Sequence, residues 1–456
     1  MSIVRIFICQ ILVIQFLFCI DIQANALSPL SREKSSFPSL TEQSVEYYDQ
    51  STQRKVSPQP SLTPTKHVTI QQLEEIALQN HPAVRSVQNR LEAERGVRRQ
   101  VSLRPNPVFR YEAEEIGAEG KAGKQGIVFE QEIVGNNRRK LLVAQKDRTI
   151  ETLDSEKLIT AIKIQNDVRL LAYKLLIAQK KVEFNRQLVS NSRLAVERAQ
   201  TSILSGGIEI TQLNLIQLQN QRRQAELALG QAENNKEEIG KRLAILIGVP
   251  YEEIGEIIDA PENLGGLQIE ENTSLDEILK RSPEIAKKRA EIELKRMELA
   301  YEQTPQRELS ISGGASYDFT DNTTLAQVGV GIPIRINNRN QGNIQRALAE
   351  YHTAQSDLEC LRLKLRMEFS VVFSEYKTAR AEVLAYQGEI IPNLEKFFSM
   401  SQKAYDQGEI NFLEISSARS SYIEASVGYL DSLERLADSI VKLEGSLLEN
   451  SVADVQ

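Results

Sequence analysis

The chain of 456 residues is 41% hydrophobic and 26% charged, the composition of a protein that buries a core and not that of a disordered polymer. A formal net charge of -7 argues against a nucleic-acid binder, which needs a basic face to neutralise phosphates. His67, His81 and His352 are dispersed, and neither HExxH nor a Cys/His ligand spacing occurs, so the sequence offers no enzyme centre, no protein-borne metal site and no cofactor motif.

The first 26 residues read as a signal peptide. Arg5 precedes an apolar run from Ile6 to Ile20, and Ala24-Asn25-Ala26 supplies a small-residue cleavage pattern, which places the mature start at Leu27. Cys19 raises a lipoprotein reading, but bulky Phe18 stands where lipoprotein signals carry a small residue. Residues 27–66 are rich in Ser, Pro, Gln and Thr without an apolar period and read as a flexible leader. After cleavage only Cys360 remains, expected as a small packed residue, so no intramolecular disulfide forms. Beyond residue 26 no run of 18 apolar residues occurs, so insertion into a membrane would require strands.

A first repeat is expected over 67–250. Thr69 with Gln72 forms a capping box, and Pro82 sits where a second helix opens. Two strands follow. Phe109, Tyr111 and Ala113 alternate with Arg110, Glu112 and Glu114; Ile127, Phe129 and Ile133 alternate with Glu130 and Glu132. Asn136-Asn137-Arg138 then leads into a helical pattern free of proline from Arg138 to Ser205, which at 1.5 Å per residue spans about 100 Å. The pattern breaks at Gly207 in "SGGIEITQL", and a returning helix stops at Gly248-Val249-Pro250.

Residues 251–273 read as a linker, and a second repeat is expected over 274–449, with a tail over 450–456. Ser274 with Glu277 is read as the second capping box, followed by Ser282-Pro283; cap and proline are then 13 residues apart in the first copy and 9 in the second. Leu309, Ile311, Ala315, Tyr317 and Phe319 alternate with Ser310, Ser312, Ser316 and Asp318, and Ala326, Val328, Val330, Ile332, Ile334 and Ile336 form one more apolar face. Asn337-Asn338-Arg339 repeats the first junction 201 residues later, and Gly408 repeats Gly207 at the same interval. From Gly342 to Tyr405 the pattern is helical, with a kink expected at Pro392. Alternating steps of four and three from Ile344 to 404 meet apolar or aromatic residues at 15 of 18 positions, a coiled-coil seam.

The predicted fold is mainly α with a small β part: two internal repeats, each a strand pair plus a long antiparallel coiled-coil hairpin. Four strands with one apolar face leave two unpaired edges and cannot close alone, whereas three copies supply twelve strands. A trimer would thus form a 12-stranded β-barrel continued by an α-helical barrel.

The ordered set "LQNHPAV", "FEQEIVGNNRRK", "LAILIGVP", "GIPIRINNRNQGNI" and "YDQGEINFLEI" resembles the TolC-like outer-membrane efflux proteins, or outer membrane factors, in particular their cation-efflux, CzcC-type branch, over roughly residues 67–449. The resemblance implies a homotrimeric outer-membrane channel reaching into the periplasm and working with a periplasmic adaptor and an inner-membrane pump. It implies a passive exit duct for divalent metal cations. It also implies adaptor-docking tips at Gly207, Gly408, Ile410 and Leu413, and a barrel-to-tunnel junction at Asn136, Asn137, Arg138, Asn337, Asn338 and Arg339. Glu112, Glu114, Glu130, Glu132 and Asp318 fall on polar strand faces that would line a cation-favouring lumen, and Glu209, Asp406 and Glu409 flank the tips, where three-fold symmetry would make an acidic entrance ring. The rival readings are a periplasmic coiled-coil adaptor or scaffold without a channel, which would have to cover Phe109, Tyr111, Tyr317 and Phe319, and a TolC-like duct for drugs or secreted proteins.

Overall fold

The computed structural model describes residues 67–117, 122–204, 211–251, 254, 256–257, 261–266, 269–305, 308–334 and 336–448, all within one compact unit, Pro64–Gln456. The signal, the leader, the first tip and the tail lie outside the described residues. A short strand β1 (His67–Val68) is followed by helices α1 (Ile70–Asn80) and α2 (Pro82–Ser102), strands β2 (Val108–Glu114) and β3 (Lys124–Val134), and the long helices α3 (Asn136–Leu204) and α4 (Gln212–Ile247). After β4 (Glu256–Ile257) and a 3-10 turn (Pro261–Gly266), the order recurs. It runs through α5 (Glu271–Arg281), α6 (Pro283–Gln303), β5 (Glu308–Asp318), β6 (Thr323–Gly331), α7 (Gln341–Ala385), a π-helical turn (Tyr386–Ile390), α8 (Ile391–Asp406) and α9 (Phe412–Glu444).

Local chemistry sets these boundaries. Thr69 and Gln72 form the expected reciprocal box at the start of α1. At the start of α2, His81 is the cap: its buried Nδ1 accepts from the Ala83 N–H at 3.2 Å. Burial holds the imidazole below its ordinary pKa despite nearby Asp167, which keeps the nitrogen available as an acceptor. The returning helix α4 ends at Gly248, in the left-handed region at φ 72°, and the N–H of the next residue, Val249, reaches back to the Ala244 carbonyl at 3.1 Å.

The repeat is more regular than its sequence suggests. α1 and α5 each have 11 residues, and α2 and α6 each have 21, with Pro82 and Pro283 both at the first helical turn. Ser274 therefore does not cap the second copy. α5 begins at Glu271, with Glu270 in the cap position and no side-chain cap bond. The mismatch of 13 against 9 comes from assigning a cap to a residue inside the helix.

Further expectations change. β6 stops at Gly331, so Ile332, Ile334 and Ile336 lie beyond the strand. Ser310 pairs with Gly331, which puts Pro333 opposite Glu308 in the same register, and proline has no N–H to donate. The break expected at Pro392 occurs one turn earlier, as the π turn Tyr386–Ile390. From Leu358 up to that turn the apolar positions of the counted seam are buried, at Leu358, Leu365, Phe369, Val372, Tyr376, Ala379 and Val383, whereas nearer the start of α7 Ala347 and Ala354 face inward and Leu348 is exposed. After it the inward positions move by one residue: Ser401 is buried while Met400 and Phe397 are exposed, and Phe398 stacks on Tyr422 at 6.0 Å. A wide turn inserts one residue, about 100° of rotation, so an unbroken heptad count loses phase there. Cys360 is exposed on α7, not packed, because it falls off this seam.

Among the described residues four apolar clusters hold the helices, two of them large. One joins Leu73 of α1, Ile164, Val168 and Ala172 of α3, and Leu243 and Ile247 of α4. The other joins Phe369, Phe373 and Tyr376 of α7 to Leu433 and Leu436 of α9, and it includes Leu264 of the 3-10 turn. The inter-repeat segment is thereby anchored, with Ile269 N–H donating to the Tyr376 hydroxyl at 3.0 Å and β4 pairing in parallel with β1.

Ion pairs lace the helices within each repeat and between the two. Glu156 of α3 meets Arg90 of α2 and, at 3.2 Å, Lys287 of α6, while Lys295 of α6 meets Glu350 of α7 at 2.9 Å. Burial of Glu156 opposes its ionisation, but Arg90 and Lys287 outweigh it and hold the carboxyl below its ordinary pKa. A carboxylate depressed in the folded state stabilises above the unfolded pKa, about 4.3 for Glu, and loses that contribution as pH falls through the folded value. Glu156→Gln is expected to lower the thermal midpoint at neutral pH, with the gap to wild type closing on acidification. A gap that stays constant down to pH ~3 in a melting series would contradict this role of the ion pair.

Candidate channel wall and helical tips

The four strands form one antiparallel sheet in the order β2-β3-β5-β6. Its register sorts the side chains as the alternation predicts. Phe109 faces Phe129, Tyr111 faces Ile127, and Ile127 in turn faces Ala315; Ile133 faces Leu309, and Ile311 faces Val330. These residues share one face, since opposite partners in an antiparallel ladder point the same way. That face is bare in the protomer: Phe109 is 59% exposed, Tyr111 61% and Val328 83%. Phe319 lies just past β5, its ring edge-on to Tyr317 at 4.9 Å. Among the described residues no helix is long and apolar enough to cross a membrane.

The opposite face carries Glu112, Glu114, Glu130, Glu132 and Asp318 with Ser310, Ser312 and Ser316. Its charges are partly neutralised within the sheet. Arg110 pairs with Glu130 and lies 4.0 Å from Glu112. Asp318 sits at the strand tip, where it accepts from the Thr320 N–H at 2.7 Å and serves the turn into β6.

The two Asn-Asn-Arg motifs are not equivalent. Asn136, Asn137 and Arg138 form the first turn of α3, with the Arg138 N–H bonded to the Gly135 carbonyl at 3.2 Å. Asn337, Asn338 and Arg339 precede α7, in a turn closed by Asn340 at φ 67°. There Asn338 Oδ1 accepts from the Asn340 N–H at 3.0 Å, and Asn340 Nδ2 donates to the Glu302 carbonyl at 3.0 Å. The bend into the second helix thus consumes residues that the first copy winds into helix.

At the second tip, Gly408 is left-handed at φ 76°. Its N–H bonds the Tyr405 carbonyl at 3.0 Å and the Glu409 N–H reaches the Ala404 carbonyl at 2.8 Å, so the last carbonyls of α8 are satisfied at the helix stop. Asn411 and Glu414 then cap α9 reciprocally. Ile410 is half-buried and Glu409 exposed. Leu413 lies in the first turn of α9, its side chain outside the described residues, as are Gly207 and Glu209. Asp406 is not a free acid: it accepts from Gln402 at 3.2 Å and pairs with Arg198 of α3 at 3.4 Å. Gln221 of α4 also donates to Ser416 of α9 at 2.9 Å. These contacts lay the two hairpins side by side near their tips, and no periodicity within either hairpin signals them, because they depend on the register between the two.

Comparison with known proteins places this architecture. Residues 274–447 match the family described as "Outer membrane efflux protein". The cobalt-zinc-cadmium resistance protein CzcC of Cupriavidus metallidurans is 23% identical over 340 residues, covering 73% of this chain and 79% of the relative. Among solved structures, the outer membrane protein VceC of Vibrio cholerae superposes with a TM-score of 0.69 at 16% identity, covering 83% of this chain and 95% of that one. The CmeC outer membrane channel of Campylobacter jejuni gives 0.64 at 15% identity, covering 94% and 93%. The second repeat thus matches the outer membrane efflux protein family model, and the chain shares the fold of the VceC and CmeC structures.

Proposed function

We propose that the protein is the outer-membrane channel of a tripartite efflux system, a homotrimer that receives its cargo from an inner-membrane pump through a periplasmic adaptor. The observation that carries this reading is the sheet. It has a bare apolar face and two edge strands, β2 and β6, that pair with no other strand among the described residues. In lipid every backbone polar group has to be satisfied, and strands achieve this only in a closed barrel. Three sheets of four strands close at twelve; the acidic face then lines the lumen and the apolar face meets lipid. A coiled-coil scaffold without a channel would need a cover for Phe109, Tyr111 and Tyr317, and among the described residues they stay exposed.

Divalent transition metals are the proposed cargo, on the likeness to the cobalt-zinc-cadmium resistance protein and on the acidic strand face. Discrimination belongs to the pump, since a duct needs only to be passable. The tips at Gly207, Gly408, Ile410 and Leu413 are proposed to dock the adaptor. Glu209, Asp406 and Glu409 are proposed to form the acidic entrance ring; Asp406 is engaged by Arg198 in the protomer, and Glu209 lies outside the described residues. The Asn-Asn-Arg segments mark the passage from barrel to helical tunnel.

The purified protein in detergent should have three times the protomer mass, and a particle of monomer mass by light scattering contradicts the closure argument. Gly408→Val should strain the tip by about 1–2 kcal/mol through the left-handed backbone, leaving trimer yield intact while crosslinking to the adaptor falls; unchanged crosslinking would place docking elsewhere. Deletion should sensitise cells to zinc, cobalt or cadmium. Sensitivity to dyes and detergents with normal metal tolerance would instead assign a different cargo to the same channel.

A further inference from the structure

The 201-residue repeat holds side chain by side chain along the long helices. Val168, Ala172 and Ala178 of α3 are buried, and 201 residues on so are Phe369, Phe373 and Ala379 of α7. On their other flank the two helices differ. From 161 to 178 α3 has no exposed residue, because it lies between α4 and α9, whereas ten residues of the equivalent span 362–379 of α7 are exposed.

Asn166 shows what covers the flank of α3. It is 4% exposed, and its Nδ2 donates to the carbonyls of Gly445 at 3.1 Å and Leu448 at 2.6 Å, at the end of α9. Ile177 is buried in the cluster of Leu433 and Leu436, also of α9. Their equivalents in α7 are Met367, 66% exposed, and Thr378, exposed as well. Leu363 and Val371, one turn to either side of Met367, complete a bare apolar stripe. The end of α4 is bare in a matching way. The caps of α4 and α9, Thr211 and Asn411, are 200 residues apart, which makes Ile245 the counterpart of Gly445. Ile245 is 80% exposed, although Leu243, Leu246 and Ile247 beside it are buried.

We infer that the stripe Leu363, Met367 and Val371 seats the end of α4 of a second copy of this chain, with Met367 against Ile245 of the partner subunit. The junction between the two repeats inside the chain is the template for this junction between copies. The inference rests on the trimeric reading and continues it into the helices: β6 leads into α7, and β2 belongs to the repeat that carries α4, so a sheet closing β6 on a second β2 brings the same two flanks together. The two junctions differ in chemistry. Inside the chain Asn166 meets backbone carbonyls, Arg169 pairs with Glu444 at 3.3 Å and Lys181 with Asp431 at 2.8 Å. The equivalent positions of α7 are Met367, Ser370 and Glu382, and Glu382 is already held by Arg435 of its own helix pair. The contact between copies is therefore apolar, and it is stabilised by area removed from water.

The test uses the full chain carrying Cys360→Ser, which removes the exposed cysteine of α7. Met367→Cys combined with Ile245→Cys, oxidised in membranes, should give covalent dimer and trimer on a denaturing non-reducing gel, since a disulfide needs Cα atoms within about 7 Å. Leu363→Cys and Val371→Cys, each with Ile245→Cys, cover one turn in either direction, and every single-cysteine variant should run as monomer. Met367→Glu leaves the protomer intact, because the position is exposed there, but puts a carboxylate into the apolar contact; trimer dissociation in detergent should quicken by about tenfold. Dissociation unchanged by Met367→Glu, or no ladder from any of the three pairs, overturns the inference. A single Met367→Cys that links to the adaptor assigns the stripe to that protein and overturns it too. Light scattering separates the two levels of argument: a particle of three protomers without the ladder sinks this contact alone, and a particle of monomer mass sinks the channel reading with it.

Discussion

Unpaired backbone along two strand edges is the constraint from which the rest of the architecture follows. A four-stranded antiparallel sheet satisfies its interior ladders, but the outer N–H and C=O rows of β2 and β6 need partners from elsewhere. The same sheet exposes aromatic and aliphatic side chains on one side and acids and serines on the other. An isolated soluble domain would hide the first and blunt the edges. The proposed closure with copies of itself in a membrane would resolve both conditions, and would give so small a sheet a purpose in a protein whose bulk is helical.

The helices answer to a different requirement, length. α3 runs 69 residues without interruption, and its hydrophobic stripe alone cannot hold such a rod in place. Lateral ion pairs between α2, α3, α6 and α7 complete the wall, with Arg90, Glu156 and Lys287 linking the first repeat to the second. Exposed ion pairs contribute little singly, but pairs shared among three helices fix register as well as energy. The duplicated plan then diverges where each copy meets the sheet: one junction carries a carboxylate and an asparagine turn, and the other carries arginines on a helix end.

Much of this plan is legible in the residues. Alternation locates all four strands and both faces of the sheet, because the register of antiparallel pairing preserves the two-residue period through β2, β3, β5 and β6. Absence of proline gives the extent of α3, and Gly248 and Gly408 mark helix ends through the left-handed backbone they adopt. Three features escape a reading of local patterns. Ser274 carries the signature of a cap without the geometry, since the true start of α5 has no side-chain cap bond to advertise it. Phe397 and Met400 fall on a continuous heptad that the π turn rotates, and one extra residue in a turn leaves no mark in composition. The pairing of Arg198 with Asp406 joins helices more than two hundred residues apart in the chain, and only the relative placement of the hairpins creates it.

The π turn also makes the two hairpins mechanically unequal. In α3 successive carbonyls along about 100 Å accept in one uniform ladder, so a sideways load spreads over the whole rod. The companion rod, α7 followed by α8, contains a widened turn and then Pro392, whose ring nitrogen supports no hydrogen bond. Bending stiffness is lowest where the ladder is interrupted, and α7 below that point is clamped by the Phe369, Phe373 and Tyr376 cluster. The 16 residues of α8 therefore form a lever of about 24 Å on a compliant joint. Its far end is tied to the neighbouring hairpin through Asp406 and Arg198, so a load at Gly408 is passed from the compliant rod to the uniform one.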